Sequence, residues 1–157
     1  MASSINFRTR RVGGTDLEVT ELGLGSASLA GSLSPVADAD ARATIAHAIE
    51  RGIRYFDTAP FYGFGKAERL VGDGLRARRG EVVLSTKVGR LLDPHTGPYP
   101  KGSDSWRDPL PFIDRFDYTY DAIMRSFEDS LQRLGLGTID ILFVHDIGTF
   151  THGADRN

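Results

Sequence analysis

Along this chain the spacing of apolar residues switches between two periods. Ala41, Ile45, Ala48 and Ile49 recur at helical spacing between Asp38 and Arg51, and Gly52 supplies a stop. A second helical stripe, Ala67, Leu70, Val71 and Leu75, precedes the breaker Gly80. A third, Ile123, Phe127, Leu131 and Leu134, predicts a helix from Tyr118 to Leu134, ended by Gly135. Between the stripes lie short β-prone runs at 20–25, 53–57, 81–86 and 139–144. Residues 10–19, ahead of them all, read as a hairpin around the turn Gly13-Gly14-Thr15-Asp16.

Strands alternating with helices predict βαβ units and a parallel sheet, and the apolar strand runs fit burial on both faces. A doubly wound sheet and a (β/α) barrel share that pattern. The doubly wound reading calls for Gly-x-Gly-x-x-Gly opening the first helix. Here Gly23-Leu24-Gly25 is followed by Ser26-Ala27-Ser28 and a further loop, too weak a match to use. Residues 88–116 stand outside the alternation as a loop of about thirty residues rich in Pro, Gly and Asp; loops that long are usually functional.

Composition narrows the classes. With 157 residues, 40% apolar and 25% charged, residues 1–157 are expected to form one unit around one core. A net charge of −2, with Lys and Arg spread along the chain, gives no footprint for nucleic acid or an anionic membrane. There is no long apolar run and the first residues lack the apolar middle of a secretory signal, so a cytoplasmic location is expected. Without cysteine, disulfides, thiolate nucleophiles and Cys-ligated zinc are excluded, and redox chemistry would need a bound cofactor.

The polar residues carry positional information. Asp57, Lys87 and His145 each stand at the C-terminal end of a different predicted strand, and Tyr62 follows Asp57 in the next loop. In a parallel barrel these positions share one rim, where barrel active sites are built. A phenol has a reference pKa near ~10 and needs a nearby cation to exchange protons near neutrality. Lys87 could supply that cation, Asp57 could hold the lysine charged, and His145 could hydrogen-bond a substrate oxygen beside Tyr62.

Each residue has a plainer reading. A lone Asp, Tyr or Lys is usually a solvated residue or a structural pair, and strand-end placement is what shifts the balance. His145 could be a satisfied core histidine, and His47, His95 and His152 show no ligand spacing, so no metal site is expected. Trp106, Phe112, Phe116, Tyr118 and Tyr120 could line a substrate pocket or merely anchor the 88–116 segment, and both readings stay open. Arg76-Ala77-Arg78-Arg79 reads as a helix C-terminus with cations on its dipole.

Gly52-Ile53-Arg54-Tyr55-Phe56-Asp57-Thr58-Ala59-Pro60-Phe61-Tyr62-Gly63, with Glu68 and Gly72 beyond, resembles the aldo-keto reductase signature along its whole length. Ser85-Thr86-Lys87 is similar to that family's lysine strand, Leu142-Phe143-Val144-His145 to its histidine strand, and the hairpin at 10–19 to its barrel-floor cap. Phe61 to Gly65, Leu84 to Arg90, Phe116-Asp117-Tyr118 and His145-Asp146 most resemble the branch of aldose and pyridoxal dehydrogenases.

The resemblance implies a (β/α)8 TIM-barrel type of fold, of which this chain supplies the hairpin and the first four βα strands; a full barrel takes about 250 residues. It implies Tyr62 as proton donor or acceptor, Lys87 as its cationic partner, Asp57 as the lysine's anchor and His145 as the residue orienting substrate. It also implies NAD or NADP as cofactor, with Gly25, Ser26 and Asp57 beside it and most other contacts in strands beyond this chain. The substrate would be a small carbonyl or alcohol such as a sugar. The competing expectation is a half-barrel without activity that associates with itself or another half through the edges of its outer strands.

Overall fold

The computed structural model describes residues 5–100 and 106–154. Residues 1–4 and 155–157 of the expected single unit, and 101–105 of the 88–116 segment, lie outside the described residues. The hairpin forms as expected, β1 (Thr9–Arg11) pairing antiparallel with β2 (Glu18–Thr20) so that Arg10 faces Val19.

Then the alternation begins: β3 (Gly23–Gly25), α1 (Asp38–Glu50), β4 (Tyr55–Asp57), α2 (Lys66–Leu75) and β5 (Val83–Val88). A short 3-10 stretch, Arg76–Glu81, links α2 to β5. The basic cluster expected at a helix end belongs to this stretch. Arg79 leaves it to pair with Asp140 at 2.7 Å, whose carboxylate also accepts from the Leu84 amide, so the arginine ties two neighbouring strands together.

The 88–116 segment is not plain loop. β6 (Arg90–Pro94) pairs antiparallel with β7 (Phe112–Phe116), Arg90 opposite Phe116 and Pro94 opposite Phe112. The pattern hid this hairpin because ion pairs hold it, Arg90 with Asp114 and Arg115 with Asp93. Charged residues there imitate a loop composition.

α3 (Tyr120–Leu134), β8 (Ile141–Val144) and a single turn, α4 (Thr149–His152), complete the chain. α3 starts two residues after the expected Tyr118 because Thr119 is its N-cap, accepting from the Ala122 amide. Its fully buried face is also not the expected one. Ala122, Ser126, Ser130 and Leu134 are buried, whereas Ile123, Phe127 and Leu131 are only half-buried. Small residues let the helix approach closely, and the Ser126 hydroxyl donates to the Arg90 carbonyl.

The strands order as β3-β4-β5-β8, all parallel, with Gly25, Asp57, Ser85 and Ile141 in one register row. Residues in a row share a face, and faces alternate along each strand. Leu24, Phe56 and Leu84 therefore point together toward α1, α2 and Leu134 of α3, forming the main core. Gly23, Gly25, Tyr55, Asp57, Ser85 and Lys87 point the other way. Burial on both faces, expected for every strand, fails at β8, where Leu142, Phe143 and Val144 are 42–45% exposed. Among the described residues, no helix is long and apolar enough to cross a membrane.

Candidate active site

Adjacent parallel strands position the first two residues. Asp57 ends β4 and Lys87 stands one residue before the end of β5, on the same face. The Lys87 ammonium donates to Asp57 Oδ2 at 2.7 Å and to the Thr58 carbonyl at 2.9 Å. Asp57 Oδ1 accepts from the Ser85 hydroxyl at 2.6 Å, and Tyr55 OH lies 3.1 Å from that hydroxyl. Both carboxylate oxygens are thus engaged, which leaves the aspartate little freedom to swing.

A backbone device places Tyr62. Gly63, Phe64 and Gly65 all have positive φ, at 62°, 51° and 95°, so the chain reverses directly after Tyr62 and enters α2. Phe64 bears this rare conformation with its ring fully buried, as an anchor for the turn. The result sets the Tyr62 ring 4.8 Å, centroid to nitrogen, from the Lys87 ammonium, a cation–π contact.

His145 follows β8 directly, its amide donating to the Val88 carbonyl at 2.9 Å. Its ring stands edge-on to Tyr62 with centroids 6.0 Å apart. Burial depresses the imidazole's pKa from 6.5 to about 4; Arg90 and Lys87 push the same way, while Asp146 and Asp57 oppose. At neutral pH the ring is uncharged, able to donate one hydrogen bond and accept another.

The expected residues Asp57, Lys87, Tyr62 and His145 therefore come together in one run of contacts. Trp106 lies 5.8 Å from the Tyr62 ring and 5.2 Å from Phe61, so it both anchors its segment and walls the site. Phe116 instead stacks on Arg90, Phe112 is half-buried in β7, and Tyr120 is exposed. Tyr118 donates its hydroxyl to the His145 carbonyl at 2.8 Å.

Gly25, Ser26 and Asp57 also meet. The Ser26 amide donates to the Asp57 carbonyl at 3.0 Å, and the Ser26 hydroxyl is buried with no hydrogen-bond partner. Gly25 has open space where a Cβ would stand, and it borders a cavity of about 630 Å³ together with Gly23, Tyr55 and Asp57. Ser26 itself is fully buried behind that opening, whose far wall is the β1–β2 hairpin through Arg10, Val19, Thr20 and Glu21. No group of three or more metal-ligating side chains occurs among the described residues.

Sequence reasoning assigned no role to three contributors. Ser85 lies two residues before Lys87 and thus on the same strand face, a signal that period-two reading contains. Arg90 and Asp146 stand 56 residues apart, and nothing in the spacing joins them.

The sequence pattern of the Aldo/keto reductase family matches residues 21–152. The chain is 49% identical over 156 residues to pyridoxal 4-dehydrogenase of Microbacterium luteolum, which aligns 94% of this chain with 45% of that protein. It is 40% identical over 134 residues to D-threo-aldose 1-dehydrogenase of a Pseudomonas species, covering 83% of this chain and 41% of that protein. The holo form of an aldo-keto reductase from Bacillus halodurans superposes with a TM-score of 0.70 at 32% identity, over 96% of this chain and 44% of that one. The chain thus spans about half the length of the relatives it matches. A parallel sheet carrying Asp57, Tyr62, Lys87 and His145 at one end, matched along nearly its whole length by these proteins, places this chain in the aldo-keto reductase family.

Proposed function

We propose that this chain carries the proton-transfer site of an NAD(P)-dependent oxidoreductase that oxidises an aldose or a related alcohol or aldehyde. The observation that carries the reading is the unbroken run from Asp57 through Lys87 to Tyr62, with the neutral His145 ring at its edge. The relatives' substrates, a pyridoxal and an aldose, each hold an aldehyde with a hydroxyl placed to close on it, so a cyclic hemiacetal is the common reacting group.

Tyr62 takes the proton of the hemiacetal hydroxyl as that oxygen becomes a carbonyl. The adjacent Lys87 ammonium stabilises the negative charge on the phenol oxygen that accepts it, and Asp57 with Thr58 keeps the ammonium in place. His145 donates its single N–H to the substrate oxygen and so fixes it against Tyr62. Trp106 and Phe61 wall this end from solvent. Ser26, Gly25 and Asp57 would hold one edge of the dinucleotide, which when bound supplies the hydride acceptor. The reading covers NAD and NADP alike, since the relatives include an aldo-keto reductase of Schizosaccharomyces pombe named for NADP(+) and an NADH-specific methylglyoxal reductase of Escherichia coli.

The inactive, self-associating module is the weaker reading. The exposed edge strand β8 favours strand addition, but association gives no reason for a Lys87–Asp57 pair beside a phenol. The test is titration of the folded chain with NAD, NADP and their reduced forms, followed by quenching of Trp106 and, for the reduced forms, by nicotinamide fluorescence, with pyridoxal and aldoses then supplied for turnover. Binding and nucleotide reduction are expected; a folded chain that neither binds nor turns over overturns the reading.

A further inference from the structure

Arg90 and Asp146 take no part in the proton transfer just described, yet they occupy its border. Asp146 has φ of 53°, in the left-handed region that side chains rarely adopt, though Asp tolerates it better than most. That turn swings its carboxylate back toward the site. Oδ2 accepts a hydrogen bond from Arg90 Nη2 and lies 3.5 Å from His145 Nε2.

Arg90 is itself locked. It is 8% exposed, its Nη1 donates to Asp114 at 2.7 Å, and its guanidinium lies between the rings of Phe61 and Phe116, 4.0 and 4.2 Å from their centroids. One buried cation therefore joins the residue before Tyr62, both strands of the β6–β7 hairpin and the residue after His145.

The His145 ring shows why this matters. Its Nδ1 is buried without a partner, and the carboxylate nearest the ring stands at Nε2. A neutral imidazole has one N–H to place. The charged groups around it are Asp146 from its own loop, Arg90 from β6, Lys87 from β5 and Asp57 from β4, with the titratable Tyr62 edge-on and Tyr118 on its carbonyl.

We propose that Arg90 and Asp146 form a positioning pair for His145, in which Asp146 holds the ring in the Nε2–H form and Arg90 offsets the charge of Asp146, so that the carboxylate does not undo the neutrality that burial imposes. A carboxylate alone beside the ring would favour the imidazolium, which would bind the substrate oxygen as a fixed cation. A guanidinium alone would leave the N–H without direction. At 3.5 Å the carboxylate is an electrostatic neighbour of Nε2 and not its hydrogen-bond acceptor, so it favours the proton on that nitrogen while leaving the N–H free for a substrate oxygen.

The proposal gains its catalytic meaning from the function proposed above, but its test does not need turnover. Histidine-selective 15N NMR on the folded chain reads both the tautomer and the titration of His145. Wild type is expected to show the Nε2–H form. Arg90→Met should raise the titration midpoint of His145 above that of wild type. Asp146→Asn should move the midpoint the other way and mix the two tautomers, and the double variant should return toward wild type. Arg90→Lys, which keeps the charge, should restore the wild-type midpoint even if Arg90→Met folds poorly. Shifts of the same sign in both single variants, an Nδ1–H wild type, or unchanged titrations overturn the proposal. A chain that shows the opposed shifts but no turnover would fail the proposed reaction while keeping the pair.

Discussion

Replacing Gly72 by Ala tests the close approach that sets α2 against α3. A Cβ built at Gly72 would lie 1.9 Å from the Leu134 carbonyl oxygen and 2.6 Å from its carbon, whereas real Cβ atoms stay beyond 3.0 Å. The obstacle is backbone, so no rotamer change can relieve it; the end of α3 must back away by about 1 Å or more, a gap that forfeits a quarter to a half of each dispersion contact it opens. Leu134, Leu70, Val71 and Leu75 all pack there, and the fully buried Glu68 bonds Arg133 across the same interface at 2.5 Å.

Overpacking of this kind costs about 1–3 kcal/mol, and rigid backbone on both sides puts it near the top of that range. Ala is the better helix former by about 1 kcal/mol. The net expectation is a loss of about 2 kcal/mol, or a urea midpoint lower by about 1 M at an ordinary denaturant slope. Gly80 gives the control, because a Cβ there would meet no atom within 4 Å. Equilibrium unfolding followed by circular dichroism should therefore show Gly72→Ala clearly weakened and Gly80→Ala within about 0.5 kcal/mol of wild type. A Gly72→Ala chain as stable as wild type would refute the reasoning.

Tyr62→Phe should cut turnover by about 10²–10⁴-fold. The Tyr62 hydroxyl makes no hydrogen bond with the described residues, so unfolding free energy should change by less than about 0.5 kcal/mol; wild-type rates would remove Tyr62 from the mechanism. His145 is held neutral with its pKa at about 4, below the unfolded value near ~6.5. The unfolded chain therefore binds the extra proton first on acidification. The contribution is complete above about pH 6.5 and is lost as pH falls toward 4, by about 3 kcal/mol in all. His145→Phe should flatten that part of the stability-against-pH curve, and an unaltered curve would count against the burial argument. Arg133→Met leaves the Glu68 carboxylate buried beside only the Thr86 hydroxyl, and should cost about 3–5 kcal/mol in chemical denaturation. Adding Glu68→Gln should recover part of that loss; no recovery would mean that the ion pair is not what the interface depends on.

These residues also show which features a one-dimensional pattern carries. Ala41, Ile45, Ala48 and Ile49 predicted α1 because the helix lies over the sheet with a single apolar stripe, and all four are buried. The same logic misjudged α3, where close approach to α2 and β6 selects Ser126 and Ser130 over the larger Ile123 and Phe127. Hydropathy measures transfer from water, not how near two backbones come. The β6–β7 hairpin escaped for a related reason: its strands are far apart in sequence and are joined by Arg90–Asp114 and Arg115–Asp93, which read as solvated loop.

The legibility of the site followed how each residue is held. Asp57 and Lys87 could be read because adjacent, in-register parallel strands fix both at one end of the sheet, and strand ends are visible in sequence. Tyr62 depends on consecutive left-handed residues, of which only Gly63 and Gly65 announce themselves, while Phe64 does not. His145 directly follows β8, the most exposed strand of the sheet, where the sheet alone restrains it least. Its neighbours Asp146 and Arg90 supply the restraint that β8 lacks, through a hairpin that the sequence concealed. The residue most in need of a side-chain clamp is thus the one whose clamp no spacing rule could reveal.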